Sequence, residues 1–141
     1  MSKAFFQRLE GKAHNHRLPL SMAVDNLSFN EQGLIPVITQ DHSTKTVLMQ
    51  AWMNQEALHK TLHTGRMVYW SRSRNRLWEK GATSGHTQQL ISMSFDCDGD
   101  VILCQVAQKG AACHTGRPAC FYLAVEPEQQ QVRVIGDACQ P

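Results

Sequence analysis

Two stretches that suit β-strands meet across residues 95–101, and what stands between them limits the fold more than any other feature of the chain. Ile91, Met93 and Phe95 alternate with Ser92 and Ser94, which is the period of a half-buried strand, and "VILCQVA" (101–107) reads as a more buried one. The residues between them are "DCDGD" (96–100): three carboxylates, with a thiol wedged between the first two. Asp98-Gly99 is a strong turn dipeptide, so a solvated hairpin turn accounts for those two residues. It does not account for Asp96, Asp100 or Cys97, because like charges at alternating positions repel and a turn has no need of a thiol.

The flanking segments extend the pattern. "LIPVIT" (34–39) and "TVLMQAW" (46–52) are apolar and β-branched around the polar "QDHSTK", and they read as a hairpin. Asn54 can cap a helix that has Glu56 in its first turn, Leu58 and Leu62 on one face and Gly65 at its close. "RMVYWSRSRNRLW" (66–78) alternates as a strand that turns near Arg74 to Arg76. The first 20 or so residues suit a short helix or arm. The expected fold is a compact, β-rich α+β domain of antiparallel strands with one main helix over about 54–64, and residues 1–141 form a single domain.

At 141 residues, one core can bury roughly two thirds of the unfolded surface, and no second catalytic domain fits. The formal net charge of +2 is too small to argue for a nucleic-acid or membrane partner, so electrostatic recognition must be local. No apolar run suits a signal peptide or a membrane span, and the expectation is a soluble, cytoplasmic protein. In a reducing compartment five cysteines, an odd number, read as free thiols or metal ligands and not as a disulfide framework.

If the strand stays extended through 96–100, Asp96, Asp98 and Asp100 line one side and Cys97 points to the other. The aspartates offer hard oxygens suited to Mg²⁺, and the thiolate a soft donor suited to Zn²⁺. An EF-hand is excluded, since Gly99 falls at loop position 4 where position 6 is needed, and position 12 is Ala107. Downstream, "CHTGRPAC" sets Cys113 and Cys120 seven apart. Zinc held by Cys97, Cys113 and Cys120 would keep a fourth tetrahedral position, the mark of a catalytic site. The competing account is buried structural thiols, since no CxxC knuckle is present, and Cys104 within "VILCQV" is expected to be one. His114 either fills the fourth position or acts as a general base beside it, and Cys139 near the C-terminus is taken as incidental.

"YWSRSRNRLWEKG" (69–81) places Arg72, Arg74 and Arg76 at period two between Trp70 and Trp78, with Lys80 just beyond. Guanidinium forks suit phosphate oxygens and tryptophan faces suit bases, so the composition fits a nucleotide. It fits equally a solvated edge strand whose charges block aggregation. "GATSGH" (81–86) adds small hydroxyl and backbone donors that would complete a phosphate cradle around Ser84.

Taken together, and in this order and spacing, "YWSRSRNRLWEKGATSGH", "DCDGD" and "CHTGRPACF" resemble the phosphoribosyl-AMP cyclohydrolases of histidine biosynthesis. "GLIPVITQD" and "VLMQAWMNQEAL" are similar to that family's opening segments, so the resemblance covers about 33–122. It implies hydrolytic opening of the adenine ring of phosphoribosyl-AMP between N1 and C6, by a homodimer that uses one Zn²⁺ per subunit and Mg²⁺. It implies zinc ligation by Cys97, Cys113 and Cys120, with Cys97 supplied by the partner subunit, and magnesium ligation by Asp96, Asp98 and Asp100. Trp70, Arg72, Ser73 and Arg74 are then expected on the substrate, along with Lys80, Ser84, His86 and Arg117. Ala119 departs from the family's common Ser. No fused pyrophosphohydrolase is expected, so one step is.

The chemistry suits the residues independently. Ribosylation at N1 leaves C6 of the purine electrophilic, and water activated by zinc suffices as nucleophile, with His114 or an aspartate taking the proton. A zinc deaminase is disfavoured because the H-x-E motif is missing: His86 is followed by Thr87-Gln88, and His114 by Thr115-Gly116. The non-enzymatic alternative is a small zinc-stabilised module that binds nucleic acid through the Arg/Trp strand.

Overall fold

The computed structural model describes residues 2–138, so Cys139 lies outside the described residues. Two hairpins build the main sheet. The first pairs β1 (Ile35–Asp41) with β2 (Val47–Met53), and the second pairs β5 (Gln88–Phe95) with β6 (Ile102–Gln108), both antiparallel. They join through β1 and β6, giving the order β2-β1-β6-β5.

The β1–β6 pair is parallel, with Val37 opposite Ile102 and Asp41 opposite Val106, which corrects the expectation of antiparallel strands throughout. Both strands carry fully buried side chains: Ile35, Val37, Ile102, Cys104 and Val106 have no exposed surface. Placing both at the centre buries both, and the long crossover between them leaves the chain free to meet in parallel. Hydrophobic pattern alone does not distinguish the two directions.

The crossover contains α3 (Gln55–Thr64) and the small hairpin of β3 (Val68–Ser71) and β4 (Arg76–Glu79). The helix forms where its caps dictate. Asn54 Oδ1 accepts from the Ala57 N–H at 2.8 Å, and Gly65 closes the C-terminus at φ +77°, donating to Thr61 O at 2.9 Å. Ala57, Leu58 and Thr61 form its buried face. Thr61 Oγ1 both accepts from the Val68 N–H (3.0 Å) and donates to Val68 O (3.1 Å), which docks the helix to the start of β3.

A buried polar chain then ties β3 to the sheet. The Tyr69 hydroxyl donates to Gln88 Oε1 at 2.6 Å and so accepts from Thr39 Oγ1 at 2.7 Å, while Gln88 Nε2 donates to Gln108 Oε1 at 2.8 Å. Burial, opposed by the Thr39 bond, raises the Tyr69 pKa well above the usual tyrosine range, so the hydroxyl stays protonated. Tyr69→Phe leaves partners on two elements unsatisfied and is expected to cost about 1–3 kcal/mol, read as a lower urea midpoint at unchanged m-value.

Two short helices, α1 (Ser2–Leu9) and α2 (Leu20–Asp25), form the expected N-terminal arm. Phe5 and Phe6 reach the core edge-to-face, with ring centroids 5.0 Å apart. At the other end, β7 (Leu123–Glu126) pairs with β8 (Gln131–Val134). The cross-strand pairs Leu123/Val134 and Val125/Val132 are all exposed. Among the described residues no helix is long and apolar enough to cross a membrane.

Candidate active site

The "DCDGD" stretch is a turn, which corrects the expected extended strand with alternating faces. β5 ends at Phe95. The Asp96 N–H donates to Val101 O at 3.1 Å, the Gly99 N–H to Asp96 O at 3.1 Å, and the Asp100 N–H to Asp96 Oδ1 at 3.0 Å. Gly99 takes φ +67°, which side-chain-bearing residues seldom adopt. The local turn chemistry of Asp98-Gly99 therefore prevails over strand propagation.

The turn nevertheless gathers the three carboxylates. One oxygen from each of Asp96, Asp98 and Asp100 lies within 4.8 Å of the others, and all three residues are exposed. Burial opposes ionisation of Asp96, but bonds from the turn's N–H groups outweigh it and hold its pKa below the usual carboxylate value. Asp100 moves up instead: its hydrogen bond with Asp96 is the main cause, followed by burial and the charges of Asp96 and Asp98. Three converging carboxylate oxygens are a donor set suited to a hard divalent cation such as Mg²⁺.

The second donor set stands at the opposite end of β6. That strand's seven residues span about 20 Å between the acidic turn and the loop that opens at Cys113. The loop closes on itself through Gly116 N–H to Cys113 O (3.0 Å) and Cys113 N–H to Arg117 O (3.2 Å), and the Cys120 N–H anchors it to Leu48 O of β2 at 2.7 Å. This folding brings Cys113 and Cys120 together so that their sulfurs share a hydrogen bond.

The two thiols are unequal. Burial opposes ionisation of Cys113, yet the Thr115 hydroxyl at 3.1 Å, the Thr115 N–H, Cys120 and the Arg117 charge together lower its pKa. Burial first, and then the Cys113 charge, push Cys120 up to about 11. Two adjacent thiols, one more readily ionised than the other, are a donor pair that a soft cation suits, with release of protons on binding. Cys97 stays with the aspartate turn, and among the described residues the aspartates are the one group of three potential ligands that converges. Cys104 is the buried structural thiol expected of it, its pKa raised to about 12 by burial.

Cys113 and His114 form part of the wall of a cleft of about 1110 Å³. The opposite wall is the β3–β4 turn and the 81–86 loop. Gly81 is required there, because a Cβ on it would strike the backbone of His86 and Thr87, and its φ is +82°. The Gly85 N–H donates to Gly81 O at 2.8 Å and closes the loop. The His86 ring lies against Gly110, so the loop and the end of β6 are held together.

Of the residues expected on substrate, Arg74, Lys80, Ser84 and His86 line this cleft, joined by Arg76, Trp78 and Thr83. Lys80 Nζ donates to Ala112 O at 2.6 Å and lies 5.1 Å from the Trp78 ring centroid, so it braces the residue before Cys113. Burial lowers its pKa, against the upward pull of Cys120 and Cys113. This role spans 32 residues of chain and has no local sequence signal. The others are placed elsewhere. Arg72 stacks on Trp52 at 4.9 Å, and Arg117 stacks on Tyr122 at 4.0 Å while donating to the Ile135 and Gly136 carbonyls. Ser73 is exposed in the turn, and Trp70 is half-buried opposite Leu77 in β4. Ala119 packs against the core.

A cleft of this size, with arginines on one wall and a thiol, a histidine and a lysine on the other, suits the domain to a small anionic substrate. Residues 49–122 match the family model of phosphoribosyl-AMP cyclohydrolase. A phosphoribosyl-AMP cyclohydrolase of Cereibacter sphaeroides is 52% identical over 79% of this chain and 95% of its own length. One from Chromohalobacter salexigens is 49% identical over 90% and 87%. The histidine biosynthesis bifunctional protein HisIE of Synechocystis is 56% identical over 74% of this chain and 50% of its own. The chain belongs to the phosphoribosyl-AMP cyclohydrolase family.

Proposed function

We propose that the cleft opens the adenine ring of phosphoribosyl-AMP in cytoplasmic histidine biosynthesis. The observation that carries this is the convergence of Cys113, His114 and Lys80 on one wall of a cleft whose other wall bears Arg74 and Arg76, with Cys120 next to Cys113. In the reaction the oxygen of water bonds to C6, the N1–C6 bond breaks, and the proton lost by water is returned to nitrogen. The arginines and the Ser84 loop hold phosphate, and Trp78 offers its face to the base.

Cys97, Cys113 and Cys120 would hold Zn²⁺, which when bound supplies the Lewis acidity that makes water nucleophilic near neutral pH. Asp96, Asp98 and Asp100 would hold Mg²⁺. Since β6 separates Cys97 from the other two thiols, the reading requires a homodimer in which each turn crosses to the partner's cleft, carrying its aspartates along. The exposed apolar face of β7 and β8, which begins just after Cys120, supports such an interface. A nucleic-acid role is less well supported, because Arg74 and Arg76 line the same cleft as Cys113 and His114 and Arg72 is engaged with Trp52.

His114, exposed at the cleft, is the residue that takes the proton from water. His114→Ala is expected to lower kcat by about 10²-fold or more with zinc content retained. Loss of zinc in that variant would make His114 a ligand. The reading as a whole is tested by turnover of phosphoribosyl-AMP with and without a chelator. Absence of turnover in the metal-replete protein would overturn it.

A further inference from the structure

The acidic turn has a support that lies outside the family-matched residues 49–122. Gly99 is its one buried residue, with Asp96, Cys97, Asp98 and Asp100 all exposed around it. The surface that buries Gly99 is the ring of Phe6 from α1, which occupies the space that a Cβ on Gly99 would need. A second contact comes from the same N-terminal segment, where the Ser28 N–H donates to Gly99 O at 2.8 Å. Beside these contacts the turn borders a crevice of about 350 Å³ lined by Leu9, Leu18, Phe95 and Cys97, so little else braces it on that side.

We propose that Phe6 is a positioning residue for the acidic turn, holding the Asp96–Asp100 backbone in the conformation that converges the three carboxylates. It touches no ligand atom and acts through Gly99. A ring pressed on a Cα leaves the turn one conformation, and φ +67° at Gly99 is maintained because the chain cannot swing into the space the ring fills. The part of the proposal that concerns Mg²⁺ rests on the reading of the aspartates as its site. The conformational part stands without it.

Phe5 provides the control. It is 9% exposed against 6% for Phe6, belongs to the same core and meets the Phe6 ring edge-to-face, yet the three atoms nearest to where a Cβ on Gly99 would sit all belong to Phe6. Phe5→Ala and Phe6→Ala are therefore expected to lower Tm alike. Only Phe6→Ala is expected to speed hydrogen exchange of the Gly99 and Asp100 amides, by about tenfold or more, because both are bonded only while the turn is closed. The same variant is expected to raise the Mg²⁺ concentration for half-maximal activity by roughly tenfold. Phe6→Leu, which keeps an apolar side chain in place, is expected to recover part of both effects, and it carries the comparison if Phe6→Ala does not fold. Equal exchange in the Phe5 and Phe6 variants would overturn the proposal. So would an unchanged Mg²⁺ requirement where wild type depends on Mg²⁺. A wild-type enzyme indifferent to Mg²⁺ would instead overturn the reading of the aspartates, and exchange would still judge Phe6.

Discussion

Cys120→Ser is expected to abolish zinc binding and turnover together. The hydroxyl that replaces the thiol does not ionise near neutral pH, so the site loses a soft donor beside Cys113. The loop itself should survive, because its anchor is the Cys120 backbone N–H on Leu48 O and not the side chain. Serine is nearly isosteric, so the fall in kcat/KM, expected to be about 10³-fold or more, comes from lost metal chemistry and not from unfolding. Cys113→Ser should behave the same way. Cys104→Ser should keep its zinc and lose stability, because that thiol is buried among apolar strands. Metal analysis, activity and thermal melts on the three variants separate these outcomes. A Cys120→Ser protein that is fully active without zinc would refute the assignment.

Activity should return when two dead variants are combined. Cys97→Ala and Cys120→Ala are each expected to be inactive, and after unfolding, mixing and refolding about half the dimers pair one of each. If the turn of one subunit completes the thiol site of the other, every mixed dimer holds one intact site, with Cys97 from one chain and Cys113 and Cys120 from its partner. Its second site lacks both. Recovered activity should then approach about a quarter of wild type, from a starting level near zero. The geometry motivates the experiment: β6, about 20 Å long, runs between the turn that bears Cys97 and the loop that opens at Cys113. Inactivity after verified heterodimer formation would rule out the shared site and leave the family assignment intact.

Much of the local structure was legible from residue type and spacing. Asn54 and Gly65 bound α3 because a side-chain acceptor and a left-handed glycine are needed within one turn of the helix they end. The four strands of the main sheet follow their apolar periods, and the turn between β3 and β4 falls on Arg72 to Asn75 with Asn75 at φ +54°. Where strand alternation and turn chemistry compete, as in "DCDGD", periodicity alone misjudged the outcome. The three aspartates converge all the same, because a tight turn brings neighbouring carboxylates together as effectively as one face of a strand would.

Sequence by itself determined where thiols and carboxylates cluster, the hairpins and helix, and the family, since each depends on residues close in the chain or on motifs whose order survives in one dimension. Only the tertiary structure decided which of those residues share a place. It pairs β1 with β6 in parallel, sets Cys113 against Cys120 and away from Cys97, turns Lys80 onto Ala112, and seats Phe6 on Gly99. Apart from the Cys113–Cys120 pair, each of these contacts joins segments far apart in the chain, and burial of apolar surface selects among them without regard to sequence distance. Chemistry is written in residue type, but proximity is set by the packing of the whole core.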